Sequence, residues 1–193
     1  MTDTTSKPDY PTADASQHGA STKDDLKAQR ELMTQRVMNS REGLYGPKSM
    51  SWKVNRHTSI MMGAGAANLL QLAHPWVSQA IDQHSKTQTD PFGRLQRTFL
   101  NVHSMIFGSL DQVLESAVRV HNIHAKITGQ TTETAGRTQK GSAYFANQIS
   151  AMLWVHATLL DSHVRILEAL LRPFTPDERD RYCRETALFA ELL

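Results

Sequence analysis

The chain has 193 residues, with 21 lysines and arginines against 19 aspartates and glutamates and a formal net charge of +2. This length allows one domain with a buried core, and the near-balance of charge provides no basic stripe for nucleic-acid binding. The single cysteine, Cys183, excludes an internal disulfide and a zinc site built from cysteines, and it is typical of a reducing compartment.

The first 22 residues contain no Leu, Ile, Val, Phe or Trp and are rich in Thr, Ser, Asp, Ala and Pro. Such a segment cannot bury enough apolar surface to order itself, so residues 1–22 are predicted to be a disordered tail. They also lack the apolar centre of a secretory signal. The most apolar window, residues 60–73, is too short for a membrane span. We therefore expect a cytoplasmic protein without a transmembrane segment.

The remaining residues, 23–193, are predicted to form one all-α domain. Helices are expected over residues 23–43, 55–73 and 75–85. The dipeptide His74-Pro75 separates the second helix from the third because proline cannot continue the helical hydrogen-bond ladder. No stretch alternates convincingly with a period of two, so the pattern predicts no strand.

Capping signals mark the later helices. Asp90-Pro91 begins a helix that ends at Gly108, and Ser109 begins one that ends at Gly129. Residues 130–142 are expected to form a polar loop, and a spacing of three and four between apolar residues predicts a long amphipathic helix over 149–167. A capping box at 175–178 opens the last helix. Since no stop signal follows, the sequence is compatible with a domain truncated at its C-terminus.

Five polar side chains fall on or beside the apolar stripes of these helices: Arg94, Arg97 and Thr98 on one helix, His124 near the end of the next, and His156 within the long one. An unpaired polar group is costly to bury, so these groups either satisfy each other or hold a ligand. A charged donor beside a hydroxyl suits the binding of a carboxylate, a propionate or bound oxygen.

Structural alternatives stay open for this set. Each histidine can be a core residue bonded to a backbone carbonyl, and an arginine can pair with Glu115 or Asp161 across helices. A di-iron site is disfavoured because it needs Glu-x-x-His on two helices, and the chain has no such motif. The stretch 63–68 lacks a preceding strand, so it predicts close helix packing rather than a dinucleotide site.

A series of short motifs runs through residues 42–193. They are, in order, Gly43-Leu-Tyr-Gly46-Pro47, Gln71-Leu-Ala-His74-Pro75, His84-Ser85, Asp90-Pro91-Phe-Gly-Arg94-Leu-Gln-Arg97-Thr98, Phe107-Gly108, His121-Asn-Ile-His124, Tyr144-Phe-Ala146, Leu153-Trp154-Val-His156-Ala-Thr158 and Pro176-Asp-Glu-Arg179. In order and spacing, these motifs resemble the family of haem oxygenases that includes the MpaB oxygenase and the rubber-cleaving latex clearing proteins.

The resemblance implies a non-covalent haem b in a pocket between the helices of a bundle-like domain. It implies that His124 is the proximal ligand of the iron and that His156 belongs to the haem surroundings. Arg94 and Thr98 match the distal residues around bound oxygen and substrate. Family members of known activity use dioxygen to cleave carbon–carbon double bonds of isoprenoid chains. The resemblance therefore implies a haem-dependent oxygenase that acts on an apolar, isoprenoid-like substrate.

Two positions depart from the family pattern. Arg97 stands where a rubber oxygenase can place an iron-capping lysine. Because an arginine stays protonated and should not bind iron, an open distal site or a propionate contact is expected. Thr128 stands where those enzymes carry an arginine, so a polymer substrate is not implied. The departures favour one alternative, a non-catalytic haem-binding or redox-sensing helical module. A helical interaction domain without a cofactor is a further possibility.

Overall fold

The computed structural model describes residues 19–37, 39–85 and 89–193. Within these ranges the chain forms eight α-helices, a 3₁₀ helix and a small antiparallel sheet, which confirms the predicted all-α class. The elements in chain order are α1 (Lys23–Arg36), α2 (Met50–Asn55), the 3₁₀ helix (Thr58–Gly63), α3 (Ala64–Leu72), α4 (Pro75–His84), α5 (Pro91–Phe107), α6 (Leu110–His124), β1 (Thr128–Gln130), β2 (Ala143–Phe145), α7 (Ile149–Leu170) and α8 (Pro176–Ala190).

Most of the predicted disordered tail, residues 1–18, lies outside the described residues. Its described end is held against the segment that precedes α7. Ala20 is buried, and the Ser21 N–H donates to the carbonyl of Asn147 over 2.8 Å. The side chain of Thr22 then caps α1. This end of the segment therefore belongs to the folded part of the chain.

Cap geometry confirms several helix starts that the sequence predicts. Pro75 and Pro91 lie in the first turns of α4 and α5, and the Asp90 side chain caps α5. Ser109 and Thr175 each form a capping box, in which side chain and backbone satisfy each other's hydrogen bonds. These local bonds explain why the starts could be read from the sequence.

The predicted helix over residues 55–73 is wrong in its first half, because α2 ends at Asn55 and the 3₁₀ helix comes before α3. Asn55 Nδ2 donates to the carbonyl of Ser51 over 2.8 Å, and side-chain bonds of this kind compete with helical ones. The predicted close packing of small residues is confirmed at Gly63. A Cβ there would lie 3.1 Å from the carbonyl oxygen of Ser162 on α7.

Two further boundaries differ from the prediction. α1 ends at Arg36, and the chain then turns through Gly43, whose φ of +64° favours glycine. α6 ends at His124, and β1 pairs with β2 across the ends of the predicted polar loop. Each strand has three residues, which is too short for an alternating pattern to be visible in the sequence.

The buried apolar side chains of the described residues include two clusters that share α8. One brings together α1, α5, α6 and α8 through Leu26, Met33, Leu44, Met105, Val113, Ala117, Phe189 and Leu192. The other brings together α2, the 3₁₀ helix, α7 and α8 through Met50, Val54, Ile60, Leu167 and Tyr182. α8 therefore links the helices that carry His124 and His156.

Substitution of Leu167 tests the packing of the second cluster. The Leu167 side chain is 1% exposed, whereas Leu170 on the same helix is 49% exposed. Leu167→Ala is expected to lower the free energy of unfolding by about 2–5 kcal/mol, because it removes buried methyl groups and leaves a cavity. Leu170→Ala is expected to change it by about 0.5 kcal/mol or less. Denaturant unfolding of both variants measures the difference, and equal losses would contradict the packing.

Candidate functional site

His124 lies on the buried face of α6. It follows Val113, Ala117 and His121 at spacings of four, four and three, and the first two of these side chains are completely buried. The Nδ1 atom of His124 is buried and has no hydrogen-bond partner among the described residues. Burial, and to a smaller extent the neighbouring His121, lowers the pKa of His124 to about 4. The imidazole is therefore neutral at pH 7 and can act as a metal ligand.

His121 occupies the turn before His124 and faces α1. It is 2% exposed, and its Nδ1 also has no partner within the described ranges. Burial is the main cause that lowers the pKa of His121. The positive charge of Lys23 lowers this pKa further, whereas the negative charge of Asp25 raises it. Two uncharged histidines thus lie side by side at the C-terminal end of α6. A histidine that binds a metal usually donates its other ring N–H to an acceptor, and this bond fixes the tautomer. Among the described residues, Nδ1 of His124 has no such acceptor.

Arg94 on α5 is partly buried, and its guanidinium donates to Asn68 Oδ1 on α3 over 3.1 Å. Burial lowers its pKa, but an arginine remains charged at neutral pH. Among the described residues it makes no salt bridge, and Asp161 pairs with Arg165 instead. The alternative of an Arg94–Asp161 salt bridge is therefore not found. A charged donor with one neutral partner is available to bind an anionic group.

Arg97 and Thr98 lie on the exposed part of α5. Arg97 forms a salt bridge with Asp90 over 3.2 Å, with both side chains about half exposed. Thr98 is exposed and also lines the larger of the cavities described below. The N-terminal half of α5 therefore presents its polar residues to open space rather than to the core.

His156 on α7 stacks on Phe189 of α8, with ring centroids 5.7 Å apart and planes at 19°. Burial lowers its pKa. Two turns along α7, His163 lies beside Tyr182, with 3.2 Å between Nδ1 and the hydroxyl oxygen. His163 was not among the predicted site residues. The signal that could have selected it is its seven-residue spacing from His156, which puts both histidines on one helix face.

A larger and a smaller cavity lie next to each other in the described part of the chain. The larger, of about 70 Å³, lies between the 3₁₀ helix, α3, α5 and α7 and has a mostly apolar lining that includes Thr98, His103 and His163. The smaller, of about 30 Å³, is bordered by His156 and His163. Neither is lined by His124 or Arg94. The structure thus does not gather the predicted site residues around one enclosed cavity.

Antiparallel packing of α5 and α6 brings His124 and Arg94 to the same end of the helix pair. Asn101 Oδ1 on α5 accepts bonds from Ser116 Oγ and Arg119 NH1 on α6, over 3.3 and 3.2 Å. Arg94 lies seven residues before Asn101 on α5, and His124 lies eight residues after Ser116 on α6. Because the two helices are antiparallel, both steps lead to the same end of the pair. His124 therefore lies at about the level of the first turn of α5, which contains Arg94.

The helix that carries Arg94 and two other helices, α3 and α7, have exposed apolar side chains. On α3, α5 and α7 they include Leu69, Leu70, Phe92, Leu95, Leu153 and Trp154. The Trp154 Nε1–H donates to the carbonyl of Leu70 over 2.9 Å, and Arg94 bonds to α3 as well, so α3 connects α5 with α7. Exposed apolar surface of this extent is typical of a ligand-binding or interaction surface.

Neutral histidines and an arginine without a salt-bridge partner among the described residues, on helices with exposed apolar side chains, define the chain as an all-α protein with a candidate cofactor site. The family model for the ER-bound oxygenase mpaB/B'/Rubber oxygenase catalytic domain matches residues 52–193, and the chain belongs to this family. The match confirms the resemblance and includes all five predicted site residues. No curated protein and no solved structure matches the chain.

Among the described residues no helix is both long and apolar enough to cross a membrane. Nor do three or more His, Cys, Asp or Glu side chains in these ranges group so that they could hold a metal ion.

His163 makes the stability depend on pH. Burial, and next the charge of His156, lowers the pKa of His163 from 6.5 to about 4. As the pH falls below 6.5, the unfolded chain binds a proton that the folded chain does not bind until about pH 4. Stability is therefore lost as the pH falls through this window, by an amount on the order of 3 kcal/mol.

The variant His163→Gln tests this dependence because glutamine does not titrate. Between pH 7 and pH 4 the free energy of unfolding of the wild-type protein is expected to fall more steeply than that of the variant. Urea unfolding at a series of pH values measures both profiles, and titrating groups that do not interact with His163 contribute equally to the two. Parallel profiles would show that burial does not hold His163 neutral.

Proposed function

We propose that the protein is a haem b-dependent oxygenase that uses dioxygen to oxidise or cleave carbon–carbon double bonds of an apolar, isoprenoid-like substrate. The observation that carries this proposal is the His124 imidazole, which is buried, neutral and unpaired at Nδ1, within the part of the chain that matches the oxygenase family. Membership in the family supports the oxygenase reaction, and the chemistry of the side chains supports the cofactor.

The donor set fits a haem. A neutral imidazole is the form in which histidine binds iron, and His124 is the histidine that we propose as the ligand. Among the described residues no carboxylate pairs with Arg94, so its charge is available to an oxygen atom on the distal side of the haem. Arg97, although paired with Asp90, lies one turn away and is the residue that we propose to contact a haem propionate. His156 is the fourth residue that we propose near the cofactor.

The space available to a haem is restricted. An enclosed cavity of about 150 Å³ holds a benzene molecule, and the cavities described above have volumes of about 70 and 30 Å³. Neither can contain a macrocycle of four pyrrole rings. The exposed apolar side chains beside Arg94 are the available surface for a group of this size and polarity, since their burial would be favourable.

When bound, haem supplies the iron chemistry by which dioxygen is activated. The residues of this chain then have separate tasks. Arg94 donates hydrogen bonds and stabilises negative charge that develops on an oxygen atom, and its partial burial strengthens that effect. Thr98 adds a neutral donor at the mouth of the larger cavity. The apolar lining of this cavity excludes water and suits a short part of an alkene chain.

A second candidate function is a haem-binding or redox-sensing module without turnover. The observation that favours it is the separation of the predicted residues, since Thr98 and His156 border different cavities and His124 borders neither. A sensor needs only a ligand to the iron, whereas an oxygenase also needs a substrate held close to it.

Haem binding tests the first step of the proposal. The purified protein titrated with haemin is expected to show a Soret band that saturates at one haem per chain. His124→Ala is expected to abolish the saturable band because it removes the iron ligand. His84→Ala is the matched control, since His84 is exposed and bonds the Thr128 carbonyl. Unchanged binding by His124→Ala would contradict the ligand assignment.

Product analysis separates the oxygenase from the sensor. The reduced, haem-loaded protein is expected to convert unsaturated isoprenoid lipids into carbonyl products under oxygen, as detected by mass spectrometry. Arg94→Ala is expected to lower the rate about 100-fold or more if Arg94 stabilises charge in the transition state. Arg165→Ala removes an exposed arginine of α7 and should leave the rate unchanged. Haem binding without any carbonyl product would favour the sensor.

A further inference from the structure

The smaller cavity contains buried polar groups that the proposed oxygenase function does not use. It lies between α2, α5, α7 and α8, and its lining combines apolar residues with Tyr45, Ser51, Asn55, Thr186 and the His163–Tyr182 pair. His156, which we propose near the cofactor, also borders it. A water molecule needs about 10–15 Å³ of such space, so the volume of about 30 Å³ is enough for about two.

Three side chains that line the cavity have a polar atom without a hydrogen-bond partner in the described part of the chain: Tyr45 at its hydroxyl, Ser51 at Oγ and Asn55 at Oδ1. Ser51 is 0% exposed and Asn55 is 8% exposed. Asn55 Nδ2 donates to the Ser51 carbonyl over 2.8 Å and to the Tyr182 hydroxyl over 3.4 Å. Asn55 Oδ1 and Ser51 Oγ have no hydrogen-bond partner in the described part of the chain. Buried groups of this kind are almost always satisfied by protein or by ordered water.

His163 adds a further polar group to the lining. The Tyr182 hydroxyl already accepts a bond from Asn55, so it is fully satisfied only if it donates its own proton to His163 Nδ1. This arrangement places the ring proton of His163 on Nε2. The cavity is thus bordered by a hydroxyl, an amide oxygen that accepts, and an imidazole N–H that donates. Within residues 19–37, 39–85 and 89–193, no carboxylate, lysine or arginine lines it.

We propose that the cavity between α2, α7 and α8 is an internal hydration site, in which about two ordered water molecules bridge Ser51 Oγ and Asn55 Oδ1 to the ring of His163. Water fits this lining because it donates to the amide oxygen and accepts from the hydroxyl and the imidazole. The absence of charged groups from the lining favours a neutral occupant over an ion. The site does not depend on haem or on His124.

The hydration site also gives His163 a defined orientation at the boundary of the larger cavity. His163 lines both cavities, and its tautomer is set from one side by Tyr182. Water on the other side would hold the Nε2–H in place. The site thus positions a neutral imidazole at the wall of the apolar cavity.

A matched pair of serine variants on neighbouring positions tests the proposal. Ser51→Cys keeps the shape and the helix propensity but replaces a strong hydrogen-bonding group with a weak one. If water is bonded to Ser51, the thermal midpoint under reducing conditions should fall by about 2–4 °C. If the cavity is dry, the thiol relieves an unsatisfied hydroxyl, and the midpoint should rise or stay unchanged. That result would overturn the proposal.

Ser49→Cys is the control. Ser49 Oγ donates to the Gly46 carbonyl over 2.8 Å and accepts from the Trp52 N–H over 3.0 Å, so its replacement should lower the midpoint whatever the cavity holds. A high-resolution crystal structure provides the direct observation. Density for water within hydrogen-bond distance of Ser51 Oγ and Asn55 Oδ1 is expected, and a cavity without density would also overturn the proposal.

Discussion

The packing of one face of α6 determines where the candidate cofactor ligand lies. Val113 and Ala117 are completely buried against α1, α5 and α8, and the helical repeat places His124 on the same face two turns later. The contacts that hold α6 in the core therefore carry an imidazole into a partly buried position in which its Nδ1 is shielded from water. Burial then excludes the charged form, and a neutral ligand for a metal is the chemical consequence.

Much of the fold could be predicted because its signals are local. Proline in the first turn, a capping serine or threonine and a three-four apolar spacing each act within a few residues. For this reason the starts of α4 at Pro75 and of α6 after Ser109 were predicted correctly, as was the presence of the long helix α7. α2 and the 3₁₀ helix were not predicted, since the break between them depends on the side-chain bond of Asn55. The strands were missed because β1 and β2 satisfy each other across a distance in sequence.

The candidate site was only partly visible in the sequence. The positions of Arg94 and His124 on partly buried faces could be predicted from helix periodicity, but their partners could not. Asn68 comes from another helix, and a contact of this kind has no signature in either segment. His163 was on the apolar stripe with His156, yet its importance depends on Tyr182 of α8 and on two cavities that only packing creates.

The helical fold and the oxygenase family are findings, whereas the haem, its ligand and the substrate are proposals that depend on His124. A crystal structure of the haem-reconstituted protein tests this dependence most directly. We predict one haem per chain, with its iron bonded to a ring nitrogen of His124 and with Arg94 on the distal side. Iron bonded instead to His74, His156 or another residue would contradict it.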